Sequence, residues 1–129
     1  MRPSWIVLPC LLLWLAAPAA ADEQYTACID ATVNNDEWAR CGGGFIEREE
    51  AAMDKAWLRL METTDGDTTE ALKQEQDAWE RFREKACQLY SDPNAFGREG
   101  QVLSYPACVA EVVASRTKQL KAYLGEIDP

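Results

Sequence analysis

The chain has 129 residues, with 22 acidic against 13 basic side chains, no histidine and a formal net charge of −9. That balance argues against nucleic acid or an anionic membrane surface as partner and leaves a basic protein open, and the lack of histidine excludes the conventional serine and cysteine triads. The length suits one small domain.

Residues 1–21 read as a cleaved secretory signal peptide. Arg2 gives a positive start, residues 5–15 form an apolar run, and Ala19, Ala20 and Ala21 supply the small residues a signal peptidase needs, with cleavage after Ala21. The run is shorter than the ~20 apolar residues of a membrane span, so no stable membrane insertion is expected after cleavage. Cys10 follows Leu8 and Pro9, which are not the small residues that lipid attachment requires. The chain is therefore expected to be periplasmic or secreted. The mature part, residues 22–129, holds all 22 acids against 12 basic residues, a formal net charge of −10. It also keeps Cys28, Cys41, Cys87 and Cys108. Four cysteines in an exported chain read as two disulfides with three pairings open. With neither histidine nor a Cys-x-x-Cys pair, zinc ligation is rejected, and no metal or cofactor is expected.

A short helix is expected over residues 25–32, with Cys28 and Cys41 at the two ends of this N-terminal arm. Gly42, Gly43 and Gly44 read as a flexible joint. A first long helix follows over residues 45–61, where Phe45, Ile46, Met53, Ala56, Trp57, Leu60 and Met61 recur at spacings of three and four. After a turn at 63–67, Asp67 and Glu70 have the spacing of a helix cap. The second long helix carries Leu72, Trp79, Phe82, Ala86 and Leu89 on its apolar face and ends near Tyr90, before Asp92 and Pro93. Residues 92–105 read as an adaptable polar loop containing Gly97 and Gly100. Pro106 suits the first turn of the third helix, which presents Val109, Val112, Val113, Leu120, Tyr123 and Leu124 and stops at Gly125. The expectation is an all-α fold: a single disulfide-stapled bundle of three long helices plus a short helical arm. An antiparallel arrangement of the second and third helices makes Cys87–Cys108 their staple and leaves Cys28–Cys41 to pin the arm.

Gln76, Arg83 and Arg116 interrupt or flank the apolar faces. Helical spacing buries Arg116, which then needs a carboxylate; Asp54, Glu50 and Glu84 are the candidate partners. Trp57 and Trp79 read as core, whereas Trp38, beside Asp36 and Glu37, is a candidate exposed anchor, aromatic residues being frequent in binding hot spots. Residues 65–69 resemble a calcium loop only faintly, with Gln76 where a bidentate Glu belongs. A pair of the many acids could act as acid and base on a glycan, but most fall on polar helix faces and the sequence shows no cleft to hold them. No enzymatic activity is expected.

Gln76, Trp79, Phe82, Arg83, Glu84 and Cys87, followed by Cys108, Arg116, Thr117 and Leu120, resemble the signature of the exported family typified by the N-terminal domain of lysozyme inhibitor LprI. Upstream, Cys41, Glu50, Met53, Asp54, Trp57 and Leu60 are similar to that family's Cys…Asp-x-x-Leu-Asn-x-x-Tyr-x-x-Leu pattern. The resemblance spans residues 28–124 and implies a small helical envelope protein that inhibits lysozyme. Animal lysozymes are strongly basic, and an acidic inhibitor is compatible with them, since opposite net charge speeds encounter. Gln76, Trp79, Phe82, Arg83, Glu84 and Arg116 are expected to act mainly as structural signature residues. Trp38 and, in the 92–105 loop, Phe96, Arg98 and Tyr105 are the candidate partner-binding residues. The alternative is an envelope structural or adaptor protein without lysozyme activity.

Overall fold

A computed structural model describes residues 22–127; the expected signal peptide lies outside the described residues. Five α-helices follow in order: α1 (Glu23–Asp30), α2 (Asn35–Thr63), α3 (Gly66–Lys85), α4 (Pro93–Glu99) and α5 (Tyr105–Ile127). A 3-10 turn (Gln88–Ser91) precedes α4, and a π turn (Gly100–Ser104) joins α4 to α5. The fold is all-α, with α2, α3 and α5 as the three long helices and α1 as the arm.

Local chemistry sets the helix starts. Asp22 caps α1 by accepting from the Tyr25 amide at 2.8 Å. Asn34 caps α2 by accepting from the amides of Asp36 and Glu37, whose acids also favour the positive end of the helix. Asp92 caps α4, with Pro93 in its first turn. The expected cap at Asp67 is not used: α3 already begins at Gly66, whose φ of +50° suits glycine, after a two-residue connection. At the end of α2 three hydrogen bonds converge instead on the Leu60 carbonyl, which accepts from the Thr64 amide and from the Thr63 and Thr64 hydroxyls.

Three expectations are corrected. The glycine run is part of α2, which starts ten residues earlier than expected. Gly42 is required there: a Cβ would lie 2.6 Å from both Cβ and Cγ of Pro106, so α2 and α5 approach closely at this point. α3 ends at Lys85, because Ala86 turns extended and Cys87 takes a left-handed φ of 67°. That leaves Leu89 on the 3-10 turn and exposed. The segment read as a polar loop is helical: α4 is broken at Gly97 (φ 63°), and the π turn buries Gly100 and Val102.

Two apolar clusters form the core. Tyr25, Cys41, Phe45 and Ala110 make one; Met53, Ala56, Leu60, Leu72, Val113 and Leu120 make the other, with Trp57, Trp79 and Tyr123 packed against it. The clusters are met in the same order along α2 and α5, so these helices run parallel, and α3 packs antiparallel to them. Leu72 is the one buried residue of α3, so hydrophobic burial holds it less firmly than the other two. The Cys87–Cys108 disulfide secures its C-terminal end, with Cα atoms 5.9 Å apart; Cys28–Cys41 ties α1 to α2 at 5.8 Å. Closing loops of 13 and 21 residues, each bridge stabilises the fold by ~3 kcal/mol in the chain-entropy picture. The arm is also held by Tyr25, which stacks on Phe45 at 4.9 Å and donates its hydroxyl to the Leu103 carbonyl. No described helix is long and apolar enough to cross a membrane.

Candidate functional site

The polar residues that interrupt the helix faces meet where α3 crosses α5. Arg116 lies between Val113 and Leu120 on α5 and is only 2 % exposed. Its Nε donates to Gln76 Oε1 at 3.0 Å, and its Nη1 donates to Glu75 and Gln119. Glu75 also accepts from the Tyr123 hydroxyl at 3.2 Å, and that hydroxyl in turn accepts from Gln119 Nε2. Burial, reinforced by the negative charge of Glu75, holds the Tyr123 phenol above its ordinary range. A buried guanidinium is tolerated only when paired and hydrogen-bonded, and this network meets that demand at two of the three nitrogens.

Trp79 joins this network to a second one. The Arg116 Cζ stands 5.9 Å from its ring centroid and the Arg83 Cζ 6.0 Å, at the range of cation–π attraction. Arg83 is ion-paired with Glu50 of α2 and lies 3.7 Å from Glu80 of its own helix. Arg116 therefore binds α3 to α5 while Arg83 binds α3 to α2. These contacts supplement the little apolar area that α3 buries.

Beside the network runs an open groove of about 500 Å³ between α3 and α5. Trp79 and Phe82 line it from α3; Glu111, Val112, Ser115 and Arg116 line it from α5. Phe82 was expected on the buried face, yet it is 58 % exposed. Its ring forms a wall of the groove rather than core.

The structure brings Gln76, Trp79, Arg83 and Arg116 together. Glu84 is exposed, and its backbone carbonyl accepts from Gln88 Nε2. None of Asp54, Glu50 or Glu84 partners Arg116. Glu75 does, and it was missed. The signal was available: Arg116 is eight residues after Cys108 and Trp79 eight before Cys87, so an antiparallel staple places them opposite each other, with Glu75 and Gln76 one turn away.

The other candidates lie elsewhere. The Trp38 indole donates to the carbonyls of Ile29 and Thr32, both at 3.1 Å, so this half-buried side chain fastens the end of α1 to the first turn of α2. Phe96 packs edge-on against Tyr90 with centroids 5.1 Å apart, and Arg98 donates to Gln101; both remain exposed on α4. Tyr105 opens α5 and is half-buried. Among the described residues no cluster of three metal-ligating side chains occurs, and the carboxylates near the groove are engaged with arginines or exposed to solvent.

Comparison with curated proteins and with solved structures returns no match. The family model described as lysozyme inhibitor LprI matches residues 18–120, most of the chain and all of α1 to α4 with the greater part of α5. On that match, over an all-α fold carrying two disulfides, the chain belongs to the lysozyme inhibitor LprI family.

Proposed function

We propose that this protein is exported to the periplasm or beyond, where it binds a lysozyme and inhibits its muramidase activity, acting by occupation of the enzyme and not by catalysis. The observation that carries this reading is the family match over residues 18–120. The acidic balance supports it: a formal net charge of −10 over residues 22–129 favours encounter with a strongly basic enzyme. The two disulfides suit an oxidising compartment.

The test is a turbidity assay in which purified, disulfide-intact protein is titrated into a lysozyme acting on a bacterial cell-wall suspension. Lysis is expected to slow in proportion to added protein until the enzyme is saturated. Absence of inhibition of both animal-type and bacterial muramidases at micromolar protein sinks the reading. A specific envelope protein recovered by pull-down from periplasm in its place would favour an adaptor role.

A further inference from the structure

Among the described residues, Arg116 Nη2 is the buried side-chain polar atom left without a hydrogen-bond partner. Nε and Nη1 are engaged by Gln76, Glu75 and Gln119, and the Glu75 carboxylate already balances the charge. What the guanidinium still lacks is an acceptor and not a counter-ion, so a neutral carbonyl oxygen is sufficient. Arg116 also lines the α3/α5 groove, whose other walls are the aromatic faces of Trp79 and Phe82 and the aliphatic Val112. Exposed aromatic surface next to a desolvated arginine is the composition of interface hot spots.

The charge of the groove selects its occupant. Its one carboxylate, Glu111, is exposed, and its one guanidinium is neutralised by Glu75. The chain that carries it has a formal net charge of −10 over residues 22–129. An anionic ligand meets net repulsion there, whereas a cationic one is attracted. At about 500 Å³ the groove has room for a few side chains.

We propose that the α3/α5 groove is the docking site for a protruding loop of a basic protein. A main-chain carbonyl of that loop accepts from Arg116 Nη2, an apolar side chain packs on Phe82 and Trp79, and a Lys or Arg pairs with Glu111. Nη2 is covered in the free protein, so docking includes a local side-chain rearrangement that admits the carbonyl. This rests on the lysozyme-binding reading above and names the surface that performs it.

The experiment measures, by titration calorimetry, the affinity of the disulfide-intact protein for a basic animal-type lysozyme. Four forms are compared: wild type, Ser115→Trp, which fills the groove from an exposed position, Glu111→Lys, which reverses its charge, and Leu58→Ser on the outer face of α2. Circular dichroism and urea midpoints check that each variant is folded. Ser115→Trp and Glu111→Lys are each expected to weaken binding at least tenfold, with Leu58→Ser unchanged. Wild-type binding that both groove variants retain within twofold overturns the groove assignment alone, as does a loss confined to Leu58→Ser. A wild-type protein that does not bind at micromolar concentration overturns both this inference and the inhibitor reading.

Discussion

The Arg116 guanidinium carbon stands 5.9 Å from the centre of the Trp79 ring, and the two residues are equally spaced, eight positions each, from the disulfide that joins their helices. The staple thus sets the register that delivers Arg116 to Glu75 and Gln76 one turn beyond Trp79. Because the guanidinium is buried and Glu75 is 40 % exposed, the two partners are not equivalent on removal. Glu75→Gln leaves an uncompensated buried cation and is expected to cost about 2 kcal/mol, below the usual range for buried pairs because solvent screens the carboxylate. Adding Arg116→Met to Glu75→Gln is expected to recover much of that loss, since the charge needing a partner is gone. Urea denaturation of the single and double variants checks it.

Gly42 and Gly43 are neighbours in α2 with opposite expected responses to alanine. A methyl at Gly42 meets the Pro106 ring at 2.6 Å, whereas one at Gly43 meets nothing within 4 Å. Gly42→Ala is expected to destabilise by about 1–3 kcal/mol through overpacking. Gly43→Ala is expected to stabilise by up to about 1 kcal/mol through helix propensity. Thermal unfolding of the two variants separates them by sign.

The arm should respond to acid. Asp22 caps α1 and also accepts two hydrogen bonds from Arg48, at 3.1 and 3.0 Å. The bond from Arg48, with help from the Tyr25 amide, holds its carboxyl below the ordinary value of 3.8 against the opposing effect of burial. A carboxylate lowered on folding adds stability that is complete above pH 3.8 and is lost as pH falls through the lower folded value. Amide exchange in α1 is expected to accelerate in that acidic window. Asp22→Asn keeps a capping oxygen but loses the charge that pairs with Arg48, and is expected to show faster exchange already at neutral pH, by about 1 kcal/mol of lost protection.

Removal of the Cys87–Cys108 bridge is expected to loosen one helix before the others. With Leu72 as its one buried residue, α3 depends on its ion pairs and on the staple. Cys87→Ala with Cys108→Ala is expected to cost about 3 kcal/mol. Amides in the last two turns of α3 should lose protection while those facing each other across α2 and α5 keep it. Hydrogen exchange resolved by residue reads this out.

Much of the architecture was legible in the chain. Met53, Ala56, Leu60, Val113 and Leu120 announced the buried faces through spacings that only a helix satisfies, and all five are buried. The Cys87–Cys108 bridge followed from cysteines near the facing ends of two helices, and Cys28–Cys41 from the remaining pair that brackets the arm. The glycine run misled because local flexibility and close helix packing leave the same residue in the sequence; only the Pro106 ring distinguishes them. Residues 92–105 misled because Gly97 and Gly100 look like loop residues, while burial of Gly100 and Val102 against neighbouring elements stabilises helical turns there.

By itself the sequence determined the helical class, the four-cysteine framework, the acidic charge and the signature that places the chain in its family. All of these depend on composition or short-range spacing. Tertiary structure alone decided which carboxylate serves Arg116, that Phe82 faces solvent, and that a groove opens between α3 and α5. Those outcomes depend on how three rigid helices are set against one another. Helix register is fixed by the sum of core packing, two disulfides, the buried Arg116 and the half-buried Arg83 acting together, and no local window of the sequence contains that sum.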